Sequence, residues 1–367
     1  MIYLGWFFLF FGAIRLLVAF INWATHMHLP KNQELTDHPF VSILIPARNE
    51  EKNIGKLLDD LSTFKYRNIE IIVYNDNSTD NTAKIVQEFS SRNKSIKLIN
   101  GEEPENGWLG KNYACHQLAN QATGEMLLFL DADVRVENGL IEKSIAYTQK
   151  YNLELLSIFP KQIMTNIGAQ LAVPLMNWIL LSLLPLGLVR LSSWTSFSAA
   201  NGQFMLFDAL TYKQHSPHKH FKNNKVEDIA ILHYFKEKKL KVATLLGDES
   251  IRCNMYNNLH EAIEGFSKNI FEFFGGSTLM TIFFGIITIS SPAYLYIFNG
   301  LTESLLYIIF VVFIRVFISL ASNQSVIKNT LLIIPQYFVF VCIIYTAIIN
   351  KKNKSFKWKN RNIISAN

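Results

Sequence analysis

Charge is scarce in this chain: 17% of its 367 residues are charged, against about a quarter in ordinary soluble domains, and half are hydrophobic. The scarcity is uneven. Met1 to Ile21 holds one charge, Arg15, and Ser277 to Asn350 holds only Glu303, Arg315 and Lys328. Pro30 to Lys268 has the charge and turn residues of a water-soluble body, so the pattern predicts a soluble middle with membrane ends. Cysteine is scarce too. Cys115, Cys253 and Cys342 are odd in number and lack paired spacing. That argues against a disulfide framework or a zinc site and suits a reducing compartment. The net charge of +6 does not predict nucleic acid as a partner. The basic residues gather beside apolar segments and in the tail (Lys351, Lys352, Lys354, Lys357, Lys359, Arg361), where anionic lipid is the expected contact. No internal repeat or low-complexity tract is present.

Residues 1–23 read as a membrane anchor. Tyr3 to Ile21 is long enough to cross a hydrocarbon core of about 30 Å. No small-residue cleavage site follows, and Asn22-Trp23-Ala24 resembles an interface, so the anchor is expected to be retained. Residues 24–276 read as one domain, opening with a polar linker from Lys31 to Pro39. Apolar runs at 41–45, 69–74, 96–99 and 125–130 predict strands. Helical spacing at 50–64, 82–90 and 111–121 predicts the helices between them. This alternation predicts an α/β fold with a mostly parallel sheet and ligands at the carboxyl ends of its strands. The apolar stretch 167–191, interrupted by Pro174 and Pro185, is expected to lie in the membrane surface rather than to span. Three further apolar segments (278–298, 305–321 and 330–349) fill residues 277–350, the C-terminal transmembrane region, and 351–367 form a basic cytoplasmic tail. If body and tail share the cytoplasmic side, an even number of these segments spans. One is then interfacial or re-entrant, and the sequence does not say which.

The acidic residues sit where strands end. Asp131-Ala132-Asp133 follows the run Met126 to Leu130. Two carboxylates one residue apart suit Mg²⁺ or Mn²⁺ bridging a diphosphate, although such pairs also occur in loops without a role. Asp76, in Asn75-Asp76-Asn77-Ser78-Thr79-Asp80, closes the second strand. It is placed to bind a nucleobase or ribose, while Asp80 is placed to cap the next helix. Pro46-Ala47-Arg48-Asn49-Glu50 ends the first strand with backbone able to hold a base, which makes Pro46, Ala47 and Glu50 candidate donor contacts. His215, His218 and His220 cluster beside Pro217 and lysines and are expected in an exposed loop, not around a metal.

Ile45 to Glu51, Asn75 to Asp80, Gly107-Trp108-Leu109-Gly110-Lys111 and Asp131-Ala132-Asp133-Val134 together resemble the family 2 glycosyltransferases with the GT-A fold, over roughly residues 40–268. The resemblance implies a Rossmann-like, mostly parallel GT-A domain in the cytoplasm, held by N- and C-terminal transmembrane helices at the cell membrane. It implies an inverting hexosyltransferase with a UDP-sugar donor. Glu227-Asp228 falls where the family has its acidic pair, with Asp228 as general base. Lys111 would contact donor phosphate, and Asn201-Gly202-Gln203 would face acceptor and diphosphate. The flanking segments, Gly107 to His116, Met255-Tyr256 with Glu264 to Lys268, and the tail Lys357 to Arg361 are similar to those of carotenoid glucosyltransferases. That implies UDP-glucose as donor and a lipid-phase carotenoid acid as acceptor, with a prenyl phosphate, a diacylglycerol or a sphingolipid as alternatives. The Gln-x-x-Arg-Trp motif of processive synthases is missing, which argues for single transfer. Asn254 stands where related sequences tend to have arginine before Met-Tyr, leaving Arg252 or Lys268 to supply that charge. A transporter or scaffold with a degenerate transferase body is the reading from another class, and the intact acidic set speaks against it.

Overall fold

The computed structural model describes residues 1–30 and 35–353, and the backbone of 357–358 and 361–362. Part of the expected linker and most of the expected basic tail lie outside these residues. The chain folds as two compact units, interleaved in sequence. One comprises residues 28–161, 188–253 and 357–367; the other comprises 1–27, 162–187 and 254–356. Residues 162–187 and 254–276, assigned to the transferase domain on sequence grounds, thus pack with the apolar helices.

The first unit is built on strands β1 (Val41–Ala47), β2 (Ile69–Asn75), β3 (Ile96–Asn100), β4 (Met126–Leu130), β6 (Leu155–Phe159), β7 (Phe204–Asp208) and β8 (Val242–Leu246). They form one sheet in the order β3-β2-β1-β4-β7-β6-β8. A short β5 (Val134–Val136) pairs antiparallel with β9 (Ile251–Cys253) beside it. β1 runs parallel to β2 and β4, β2 to β3, and β6 to β8, whereas β7 runs against both neighbours. The near-continuous apolar composition of β1, β2 and β4 follows from burial on both faces, as parallel strands between helices require. Helix Ile54–Ser62 covers one face with Ile54, Leu57, Leu58 and Leu61, the helical stripe visible in the sequence.

This topology assembles an edge. The carboxyl ends of β1 and β2 stop level at Ala47 and Asn75, and β4, whose Phe129 pairs with Leu44, ends beside them at Leu130. Because β7 is reversed, its first residue Phe204 pairs with Leu130. The residues preceding β7, Asn201 to Gln203, therefore join the same edge.

The second unit holds four helices long and apolar enough to cross a membrane: Ile2–Ala24, Thr278–Phe298, Leu301–Ala321 and Ile333–Lys352. The segment 167–191 is not one helix. It breaks into Ile167–Ala172, Pro174–Leu183 and Gly187–Leu191, because Pro174 suits a first helical turn and Pro185 cannot continue the second. Leu9, Leu295 and Tyr307 form a buried cluster between the long helices. Phe10, Leu17, Ile286, Ile309 and Phe338 point outward, as a hydrocarbon solvent would favour.

Candidate active site

The loops after β1 and β2 are laced together by short polar side chains. Asn49 Oδ1 accepts from Thr79 N at 2.8 Å, and Ser78 Oγ accepts from Asn49 N at 3.0 Å. Thr82 Oγ1 accepts from Glu50 N at 2.8 Å. Asn49 and Asn77 take left-handed conformations (φ 52° and 47°), which asparagine tolerates better than most residues. Asp80 braces both loops, its Oδ1 accepting from Thr82 N at 3.0 Å and its Oδ2 from Glu51 N at 3.1 Å. Asp76 is 3% exposed, its N–H donates to Ala47 O at 2.8 Å, and its carboxylate lies 3.8 Å from Arg48 Nη1. Arg48 also donates to Asp76 O at 2.7 Å, so it fixes the loop and its charge together. That role was not read from the sequence, although Arg48 lies inside the quoted motif. Pro46 pairs with Tyr74 in the strand register, and Ala47 is buried.

At the end of β4 the acids converge with Lys111. Lys111 Nζ lies 2.9 Å from Asp131 Oδ1 and 3.5 Å from Glu227 Oε1. Burial favours the neutral amine, but Asp131 and Glu227 outweigh it and hold the Lys111 ammonium well above its ordinary pKa. Asp228, at the start of helix Glu227–Glu237, accepts from Gly202 N at 2.8 Å and from Ile229 N at 2.8 Å. Burial, then the neighbouring Glu227, push its carboxyl up to about 7. Gly202 is the pivot. A Cβ there would sit 3.1 Å from Lys111 Nζ and 3.6 Å from both Asp228 Oδ2 and Glu227 Oε1, so any side chain would press into the charged cluster.

Gln203 connects this cluster to Asp133, its Nε2 donating to Asp133 Oδ1 at 3.2 Å and to Cys253 Sγ at 3.0 Å. Its carbonyl accepts from Asp131 N at 3.3 Å. Asn201 Oδ1 accepts from Gln203 N at 2.8 Å, and Ser157 Oγ on β6 holds Asn201 N at 2.8 Å. Burial, then the Asp131 and Glu50 carboxylates, push Asp133 up to about 6. Crowded oxygens with excess negative charge are the donor set that a hard divalent cation suits. Among the described residues no group of three His, Cys, Asp or Glu side chains is poised around one metal position. Two carboxylates that leave the other positions to water and a diphosphate fit Mg²⁺ or Mn²⁺ better than a closed protein cage does.

The remaining expectations divide. Asp76, Glu50, Lys111, Asp131, Asp133, Asn201, Gly202, Gln203, Glu227 and Asp228 all belong to the β-sheet unit, at or beside its carboxyl edge. Lys268 caps helix Leu259–Ser267 in the other unit. Arg252 is already engaged, 2.7 Å from Glu137 and 3.9 Å from Glu249. The histidine cluster lies on two short helices, Ala209–His215 and Pro217–His220, with His220 exposed, His215 half-buried and His218 buried. His218 is 2% exposed, its Nδ1 is 2.6 Å from Tyr212 Oη, and burial lowers its pKa to about 3. Burial also raises the Cys115 and Cys253 thiols, which leaves both poor nucleophiles.

The family described as "Glycosyl transferase family 2" matches residues 42–207. A 4,4'-diaponeurosporenoate glycosyltransferase of Staphylococcus haemolyticus is 29% identical over 239 residues, covering 63% of this chain and 60% of that protein. One of the same description from Staphylococcus aureus is 26% identical over 249 residues, covering 66% and 63%. The chain thus spans somewhat under two thirds of the length of these relatives. A mannosyltransferase from Pyrobaculum calidifontis, solved with GDP-Man and Mn²⁺, superposes with a TM-score of 0.52 at 14% identity, covering 94% of this chain and all of that one. The fold is of the GT-A type, with apolar helices at both ends of the chain.

Proposed function

We propose that this chain, whose residues 42–207 match the model of glycosyl transferase family 2, is a membrane-bound hexosyltransferase acting once per acceptor. It moves glucose, with inversion, from UDP-glucose to the carboxyl group of 4,4'-diaponeurosporenoate or a similar carotenoid acid. One observation carries the reading: Lys111, Asp131, Glu227 and Asp228 converge around the Gly202 backbone at the carboxyl edge of the sheet. Burial and Glu227 raise the Asp228 carboxyl to about 7, which suits it to take a proton should the acceptor be a hydroxyl.

In this mechanism the loops at Ala47 and Asp76 bind the nucleoside, and Asp131 and Asp133 would hold Mg²⁺ or Mn²⁺. The bound cation supplies charge neutralisation for the diphosphate leaving group. Lys111 keeps the neighbouring carboxylates from repelling that diphosphate. Gln203 orients Asp133, and Asn201 fixes the loop that carries Gly202. The acceptor oxygen attacks the anomeric carbon from the face opposite the diphosphate. The bond from that carbon to the leaving oxygen breaks, and its electron pair departs on UDP. Asp228 takes the proton of an acceptor hydroxyl; a carboxylic acid arrives already ionised. The body faces the cytoplasm of a multi-pass protein whose helices receive the acceptor from the bilayer.

The test uses full-length protein in micelles with UDP-glucose, the carotenoid acid and Mn²⁺, read by mass spectrometry. A product heavier by one hexose is expected. It is lost on chelation and falls at least about a hundredfold when Asp131 and Asp133 are both changed to Ala. Transfer that survives both treatments contradicts the metal site. Donor hydrolysis without transfer contradicts the acceptor.

A further inference from the structure

Two arginines are buried in the apolar unit, and among the described residues no carboxylate pairs with either. Arg15 and Arg315 are each 2% exposed. The acids of this unit are Glu261, Glu264 and Glu272, all exposed, and Glu303, in the first turn of helix Leu301–Ala321. None forms an ion pair with an arginine of the unit. Arg15 Nε and Nη2 donate to Ser182 Oγ at 3.2 and 3.0 Å, and Nη1 donates to Thr288 Oγ1 at 3.1 Å. Its guanidinium also lies 5.0 Å from the Trp178 ring centroid and 4.7 Å from that of Phe284.

Arg315 is worse provided for. It lies 4.5 Å from the same Trp178 ring and 5.7 Å from Tyr337. Among the described residues its buried Nε and Nη2 make no well-aligned hydrogen bond, and its polar contact is the Tyr337 hydroxyl. Aromatic faces offset part of the desolvation of a cation, but they supply no opposite charge. Two guanidiniums sharing one indole leave a concentrated positive field in a low-dielectric bundle. Burying such charge unpaired is the costly case.

We propose that this unit binds the acidic head of an amphiphile, a carboxylate or phosphate on a hydrocarbon chain, between Arg15 and Arg315. An oxyanion would accept from the Arg315 fork and from Tyr337 Oη, the geometry that guanidinium favours. The site lies within reach of one membrane face. At about 1.5 Å per residue, Arg15 is roughly 14 Å from the helix end at Ala24, and Arg315 roughly 9 Å from the end at Ala321. The carrier is apolar because the surroundings are. Thr288 and Tyr337 belong to the two helices that form an apolar groove of ≈ 330 Å³ lined by Ile282, Gly285, Ile286, Ile289, Val341 and Ile344. The inference rests on the apolar unit alone, independently of the transferase reading.

The experiment is native mass spectrometry and thermal unfolding of the full chain in micelles, with four probes: phosphatidylglycerol, retinoic acid, phosphatidylcholine and inorganic phosphate. Phosphatidylglycerol or retinoic acid is expected to be retained about tenfold better than phosphatidylcholine and to raise the Tm, with inorganic phosphate inert. Arg315→Gln and Arg15→Gln abolish the preference while UDP affinity stays unchanged, and Arg315→Lys retains part of it. Equal retention of acidic and neutral lipid by the unaltered chain overturns the proposal, and so does an acid preference that survives both glutamine variants. Stabilisation by inorganic phosphate alone overturns the lipid assignment.

Discussion

At the scale of single residues the sharpest consequence concerns Asp228. Its carboxyl is raised from 3.8 to about 7, chiefly by burial and then by Glu227, so the fold favours the protonated acid over the ion. The activity expected of it therefore depends on the acceptor. With a hydroxyl acceptor, kcat/KM falls tenfold per pH unit below about 7, and Asp228→Asn costs roughly 10²–10⁴-fold. With a carotenoid acid the loss is much smaller, because the acceptor ionises at about 4 to 5 like other carboxylic acids. A large loss with purified acid acceptor contradicts the assigned role. Stability runs the opposite way. A carboxyl raised by folding contributes most below its unfolded pKa and loses that contribution as pH rises through 7. Asp228→Asn is thus expected to raise the Tm relative to the parent at pH 8, with the difference closing toward pH 4. An unchanged Tm at pH 8 would mean that Asp228 ionises in the fold without penalty.

Among the elements, the strands and their acidic ends were legible, because buried parallel strands are unbroken apolar runs and a strand-end carboxylate interrupts them abruptly. Asp76 and Asp131 were read that way. The reversal of β7 was not legible: no local feature of Phe204 to Asp208 encodes strand direction, so the roles of Asn201 to Gln203 came from family resemblance, and the contact of Gly202 with Asp228 from the structure. His218 was misread because nearby Lys213, Lys219 and Lys222 looked solvated, whereas its own ring packs against Phe129 and Tyr212. Glu70 was overlooked altogether. It is 4% exposed inside β2, where a charge looks misplaced, yet it ties four segments together. Ser42 Oγ of β1 and Thr123 Oγ1 each donate to its Oε1 at 2.7 Å, and Lys97 Nζ of β3 lies 2.8 Å from Oε2. Burial opposes ionisation, but Lys97, Ser42 and Thr123 overcome it and bring the carboxyl down to about 2. Its contribution is therefore present above pH 4.5 and is lost as pH falls toward 2. Glu70→Ala is expected to cost roughly 2–3 kcal/mol in urea unfolding at pH 7 and less as pH falls toward 2. A cost that does not change with pH would point to lost packing instead.

Across the whole chain, length and composition name four spanning helices, but contacts within the apolar unit distinguish three from the fourth. Helix Ile2–Ala24 runs antiparallel to Thr278–Phe298, since Tyr294 Oη donates to Met1 O at 3.1 Å and Arg15 reaches Thr288. It runs parallel to Leu301–Ala321, since Asn299 Nδ2 donates to Ile2 O at 3.2 Å while Phe20 and Trp23 meet Phe317. Ala24, Thr278 and Ala321 therefore share one face. Helix Ile333–Lys352 begins just after the short helix Val326–Leu331, whose Asn329 donates to Ser319 Oγ at 2.9 Å near that face. It reaches inward to Trp178 at Tyr337 and Phe340. Its other end meets the same face, with Lys351 Nζ 3.0 Å from Thr278 Oγ1 and Asn350 Nδ2 3.4 Å from Ser267 Oγ. An unbroken helix about 30 Å long cannot enter and return, so with both ends at one face it lies along that face rather than crossing. We propose on this ground that an even number of segments spans after the body. It is checked by replacing the native cysteines and labelling single-cysteine variants in intact cells with an impermeant maleimide. Leu301→Cys is expected to react from outside, and Asn323→Cys and Asn353→Cys only after permeabilisation. Outside labelling of Asn353→Cys would mean a fourth span and overturn this placement of Ile333–Lys352.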